Sequence, residues 1–107
     1  NYRIENRFPG ADVNPYLAIA ATLACGYLGM KNKIEPSEAY EGNAYDEDID
    51  VPRTLEEALR GLHEDQDIVD IFGEKFIQLY TSIKLVEFEE FNQVISSWER
   101  EHLLLNV

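Results

Sequence analysis

The sequence is poor in positive charge and in cysteine. Nine Lys and Arg stand against 21 Asp and Glu, a formal net charge of −12. Phosphate backbones and anionic bilayers select for cationic surfaces, so this imbalance argues against nucleic acid and membrane as partners of the bulk surface. The lone Cys25 excludes an internal disulfide and has no partner at metal-ligand spacing. It lies in an apolar run and reads as a small core residue in a reducing cytoplasm. No apolar run reaches the roughly 18 residues of a bilayer-spanning helix. The nearest, LAIAATLACGYLGM (17–30), follows Asn-Pro and is rich in Ala and Gly, so a buried helix is expected. No secretory leader is expected, and a glycine-rich phosphate loop and a Ser/His/Asp grouping are missing. His63 and His102 lie far apart and read as surface or capping residues. The chain opens Asn-Tyr with a strand-like run, which raises the expectation of a segment from a longer, cytoplasmic polypeptide.

What is present predicts a mainly α fold: a short N-terminal strand remnant over 1–8, then four to five helices. The 107 residues, 45% hydrophobic, suffice for one domain with a modest core. Asn14-Pro15 is a helix start, and Leu17, Ala20, Ala21, Ala24 and Leu28 form one face of a helix over 14–30. Gly29 reads as its stop, with Lys31 and Lys33 suiting the negative helix end. An acidic loop follows over 34–53. Its Glu41, Asp46, Glu47, Asp48 and Asp50 lack the alternating ligands, central Gly and closing Glu of a calcium loop, so a solvated loop is expected. Helices fill 54–107. Thr54 and Glu57 fit a capping box ahead of Leu55, Ala58, Leu59 and Leu62. Ile68, Ile71 and Phe72 continue to a break near Gly73. A longer helix then carries Phe76, Leu79, Tyr80, Ile83 and Val86 on one side, and the pattern continues through Phe88, Phe91, Val94 and Ile95. Ser96 and Glu99 form a second capping box. Aromatic spacing, Trp98 included, predicts core packing rather than ligand stacking.

The opening RIENR is the one charged pattern of note. In an extended chain Arg3, Glu5 and Arg7 share a face, about 6.6 Å apart at a rise of about 3.3 Å per residue. Tyr2, Ile4 and Phe8 take the other face, interrupted by the polar Asn6. Such a row is either a solvated, salt-bridged edge or a place where ligands are held, and spacing alone leaves both open.

A resemblance weighs on that choice. Arg3-Ile4-Glu5-Asn6-Arg7-Phe8-Pro9, Asn14-Pro15-Tyr16-Leu17, Gly29 and Lys31-Asn32-Lys33 resemble the C-terminal part of the glutamine synthetase catalytic domain. The family pattern there runs R-I-E-x-R-x-P, then A-N-P-Y-L, then a small-residue helix ending in Gly and K-N-K. Val13 departs from the usual Ala, and TLEEALRGL (54–62) is similar to the next family helix. The resemblance implies a fragment of an α+β catalytic domain in which Glu5 binds a catalytic Mg²⁺ or Mn²⁺. It implies that Arg7 contacts glutamate and the transferred phosphoryl group, and that Arg3 contacts nucleotide phosphates. The implied chemistry is ATP-dependent γ-glutamyl amide formation through γ-glutamyl phosphate. The implied partners are the rest of the catalytic domain, further copies in two stacked rings, glutamate, ATP and ammonia or a polyamine. The segment alone, with one carboxylate and two arginines, is expected to be inactive.

Two branch markers are weaker. Tyr45 stands near the place of the adenylylated Tyr in bacterial glutamine synthetases, although Glu47-Asp48-Ile49-Asp50 departs from that pattern. The ending, with Ser97-Trp98-Glu99-Arg100-Glu101-His102, is similar to the tails of γ-glutamylpolyamine synthetases, which use putrescine or related amines. The Ala-rich helix and Leu103-Leu104-Leu105 are expected to be patches prone to self-association. A free-standing acidic helical interaction domain is the alternative. It accounts for charge and caps but not for RIENRFPG and NPYLAIAATLACGYLGMKNK occurring together.

Overall fold

The computed structural model describes residues 1–43, 46 and 51–104. Among them are five helices and no strand: α1 (Pro15–Lys31), α2 (Leu55–Glu64), α3 (Gln66–Phe72), α4 (Glu74–Asn92) and α5 (Ser97–His102). The mainly α expectation is met. The strand expected over 1–8 does not form, and residues 1–7 have no regular secondary structure. A strand exists through hydrogen bonds to a neighbour, and no described segment offers one. The chain divides into two units, Asn1–Val51 and Pro52–Val107.

The first unit is organised by the two ends of α1. A turn closes ahead of the helix, Val13 N–H donating to the Gly10 carbonyl at 3.3 Å. Asn14 then caps α1 as its sequence predicts, Oδ1 accepting from Tyr16 N–H at 3.0 Å and Leu17 N–H at 3.3 Å. Ala24 and Leu28 on the expected face are buried. Cys25, one position round from Ala24, is exposed and not a core residue. A step of about 100° per residue moves it off the buried stripe.

The helix also runs past Gly29. Its C-terminus is Lys31, Asn32 is the cap, and Lys33 takes a left-handed φ of 52°. Ile34 N–H donates to the Gly29 carbonyl at 2.9 Å and Lys33 N–H to the Met30 carbonyl at 3.3 Å. This is the paired closure of a Schellman motif with lysine where glycine is usual. Lys33→Gly relieves the Cβ strain and is expected to stabilise the chain by about 0.5–1 kcal/mol, after the entropy glycine adds to the unfolded chain. A higher urea midpoint at unchanged slope is the signature.

In the second unit α2, α3 and α4 pack on one another. Thr54 caps α2, its Oγ1 accepting from Glu57 N–H at 3.2 Å. The capping box is only half formed, because Glu57 Oε2 accepts from Arg53 N–H at 2.8 Å, one residue before the cap. Leu59 is buried and Leu55 and Leu62 are half-buried, whereas Ala58 faces solvent. Ile68, Val69 and Phe72 are the half-buried residues of α3, with Ile71 exposed.

The buried face of α4 shares Tyr80 and Phe88 with the expected pattern but is otherwise a different one. Ile77 is 2% exposed, and Tyr80, Thr81, Lys84 and Phe88 extend its face. Of the residues assigned to the core, Leu79, Ile83 and Val86 are 60%, 49% and 55% exposed. Two polar residues disguise the true face, and each has a reason to be there. Thr81 Oγ1 lies 2.9 Å from His63 Nε2, tying α4 to α2. Lys84 reaches along Tyr80, its Nζ 5.8 Å from the ring centroid, and ends on Glu87 Oε2 at 2.6 Å.

Gly73 joins α3 to α4 with φ 87° and ψ 134°. This region is nearly closed to residues with a Cβ, yet nothing lies within 4 Å of where a Cβ would stand. The cost of Gly73→Ala is therefore torsional, about 1–3 kcal/mol of destabilisation. The opposite sign to Lys33→Gly in the same urea assay tests both assignments of backbone strain.

The second capping box is complete: Ser96 Oγ accepts from Glu99 N–H at 3.1 Å, and Glu99 Oε2 from Ser96 N–H at 2.7 Å. The backbone bond from Ser96, and secondarily its hydroxyl, hold the Glu99 carboxyl below its ordinary range. Trp98 is exposed and not in a core; it stacks on His102 at 4.8 Å between centroids. Phe91 is exposed as well.

Candidate functional site

Of the three charged residues of the opening segment, Glu5 and Arg7 meet. Arg7 Nε donates to Glu5 Oε1 at 2.7 Å, with the arginine side chain 85% and the glutamate 61% exposed. Water screens such a pair, so either partner can be exchanged for an ion of the same sign at little cost. Arg3 is exposed and makes no ion pair among the described residues. Between Glu5 and Arg7, Asn6 Nδ2 donates to Thr22 Oγ1 on α1 at 3.1 Å. Asn6 Oδ1 accepts from Phe8 N–H at 3.1 Å. Sequence reasoning missed this anchor. Its signals were a polar residue on the apolar side of RIENRF and a threonine within an Ala- and Leu-rich helix.

The carboxylate of Glu5 is a hard oxygen donor suited to Mg²⁺ or Mn²⁺. Among the described residues no three His, Cys, Asp or Glu side chains cluster as a metal site, so Glu5 could offer one ligand and not a cage. Tyr45, like Glu47, Asp48 and Asp50 of the acidic loop, lies outside the described residues. In the second unit a pocket lined by Ile77 and Val69 also carries His63, Gln66, Asp70 and Glu74, none of which the sequence marks as a site residue. His63 keeps its surface role, bonded to Thr81, and His102 Nδ1 lies 3.0 Å from the Trp98 carbonyl oxygen.

Comparison with known proteins bears on this segment directly. A glutamate–isopropylamine ligase from a Pseudomonas species is 40% identical over 101 residues, covering 91% of this chain and 22% of the relative. A γ-glutamylethanolamide synthetase from Streptomyces coelicolor is 40% identical over 99 residues, 91% of this chain and 21% of the relative. A glutamine synthetase from Aquifex aeolicus is 41% identical over 98 residues, 82% of this chain and 21% of the relative. The chain thus spans about a fifth of the length of these curated relatives. No solved structure matches it. The family described as the glutamine synthetase catalytic domain matches residues 1–103. With that match running from the RIENR segment through α5, the chain belongs to the glutamine synthetase catalytic-domain family.

Proposed function

We propose that the chain forms one wall of the active site of an ATP-dependent ligase that joins glutamate to an amine through γ-glutamyl phosphate. The γ-carboxylate attacks the terminal phosphorus of ATP and ADP leaves. The amine nitrogen then attacks the acyl carbon, phosphate leaves, and the nitrogen gives up a proton. Glu5 is a ligand of a divalent cation, Mg²⁺ or Mn²⁺, whose charge offsets that on the phosphoryl oxygens. Arg7 holds the glutamate and the phosphoryl group in transfer, and Arg3 holds nucleotide phosphates. The observation that carries this reading is the exposed Glu5–Arg7 pair, one carboxylate beside one guanidinium, in a chain of this family.

The segment is the C-terminal part of an α+β catalytic domain, and its own residues leave the site incomplete. Tyr16, Ile19, Leu23, Tyr27 and Met30 recur along α1 and are all exposed. Such a stripe supports an assembly in which the rest of the domain and neighbouring copies, arranged as stacked rings, cover it. A cytoplasmic location goes with this reading. Among the described residues no helix is long and apolar enough to cross a membrane.

For the acceptor, an alkylamine of the putrescine type is favoured. Two of the relatives are named for isopropylamine and ethanolamide, and the ending through His102 resembles γ-glutamylpolyamine synthetases. Ammonia is the second reading, favoured by the glutamine synthetase relatives. ADP release by the intact ligase, with glutamate plus ammonium, putrescine, isopropylamine or ethanolamine, separates them. A higher kcat/KM with putrescine than with ammonium is expected, and the reverse order makes the protein a glutamine synthetase proper. Absence of ADP release with every acceptor removes the ligase reading.

A further inference from the structure

Asn6 sits between two residues assigned to chemistry, yet it belongs to neither role and breaks an otherwise apolar row. Its hydrogen bonds have only one consistent arrangement. Phe8 N–H can only donate, so the Asn6 atom it meets at 3.1 Å is Oδ1, and the amide nitrogen must face Thr22. Thr22 donates its own proton to the Ala18 carbonyl at 2.8 Å, which leaves its oxygen to accept from Asn6 at 3.1 Å. The relay ends in the backbone of α1, and Thr22 itself is half-buried. It spans 16 residues of sequence, whereas among the described residues the side-chain hydrogen bond of Glu5 and Arg7 joins them only to each other.

We propose that Asn6 is the positioning residue of this site, anchoring the Glu5–Arg7 segment to α1 through Thr22. A segment without strand pairing of its own has little else to fix its register among the described residues. With Asn6 held on the helix, its neighbours Glu5 and Arg7 carry paired, exposed side chains on either side of the anchored residue. The inference rests on the roles given to Glu5 and Arg7 above. It adds that their precision comes from a side-chain bond to a helix.

The test uses the intact ligase, titrates Mg²⁺ in the ADP-release assay and, apart from turnover, measures Mn²⁺ binding to the same variants by electron paramagnetic resonance, where the same weakening is expected. Asn6→Ala is expected to raise the Mg²⁺ concentration for half-maximal activity about tenfold, as loss of a ligand's orienting partner does. It should lower kcat as well, within the roughly 100-fold that an ångström of misplacement costs. Thr22→Val, close in shape and without the hydroxyl, should do the same, and Thr22→Ser should restore wild-type behaviour. The double variant Asn6→Ala/Thr22→Val should be no worse than either single change, because both remove one bond. Additive losses, or an unchanged Mg²⁺ requirement in Thr22→Val, overturn the proposal, even where the melting temperature falls. Glu5→Gln runs alongside to separate two failures. If it leaves the Mg²⁺ requirement unchanged, the ligand role of Glu5 falls and the anchor with it. If it abolishes activity while the Asn6 and Thr22 variants are silent, the anchor alone is wrong.

Discussion

Replacing Arg7 by alanine in the intact ligase is expected to lower kcat by about 10²–10³, the usual loss when a donor to developing negative charge is removed. The guanidinium is the group of this segment best suited to a phosphoryl group leaving ATP for a carboxylate. It is planar, permanently charged and able to donate two parallel hydrogen bonds. Its partner in this structure is Glu5, through a single bond from Nε, which leaves the other guanidinium nitrogens available to oxyanions. Arg7→Lys should recover only part of the loss, because an ammonium restores charge but not the fork. The fold should not suffer, since the side chain is 85% exposed and its one partner among the described residues is a surface carboxylate. Steady-state kinetics with saturating glutamate and ATP, set against the melting temperature, distinguish the roles. A large fall in kcat at unchanged melting temperature supports the assignment. Wild-type kcat in Arg7→Ala would remove Arg7 from the transition state and leave the Glu5–Arg7 pair a solvated ornament of the segment.

The legible parts of this molecule are those decided within about one turn of chain. Asn14, Thr54 and Ser96 cap their helices because each supplies a side-chain oxygen to an N–H two or three residues on, and sequence shows that spacing directly. The break at Gly73 is local in the same sense, a backbone angle that glycine alone tolerates well. The Glu5–Arg7 meeting follows from two-residue alternation. What spacing could not say is what these residues do; the roles proposed for them rest on the family resemblance.

The misreadings share a different cause. Strand formation over 1–8 depends on a neighbour elsewhere in the chain or beyond it, and composition does not reveal whether one is present. The face of α4 is chosen by α2 and α3, so of the stripe Phe76, Leu79, Tyr80, Ile83 and Val86 only Tyr80 lies on the inner face, beside Thr81 and Lys84. Gly29 was a plausible stop by type, but the Schellman closure fell at Lys33, where strain is accepted in exchange for two satisfied carbonyls. Cys25 shows the same limit on a smaller scale, since an apolar run does not state which of its residues face inward.

Ile77 is where packing speaks most plainly, and Ile77→Ala is expected to cost about 2–5 kcal/mol. Such a loss is large against the roughly 5–15 kcal/mol by which domains are stable. Ile77 is the most buried side chain of the second unit, and among its described residues only Leu59 is buried with it. Three helices sharing so few buried anchors have little capacity to refill a cavity. Ile77→Val, losing one methyl, should cost about 0.5–1.5 kcal/mol. Ile83→Ala lies on the same helix at a site 49% exposed, where a change should stay within about 0.5 kcal/mol and helix propensity favours alanine. Urea unfolding of the three variants at two protein concentrations makes the comparison. A steep loss at 77 and none at 83 identifies the inner face of α4. Equal losses at both positions, with midpoints rising as concentration rises, would mean that the stripe carrying Ile83 is also covered in solution, by self-association of the chain. In that case the residues the sequence favoured for the core would form an interface between chains, and both hydrophobic faces of α4 would be accounted for.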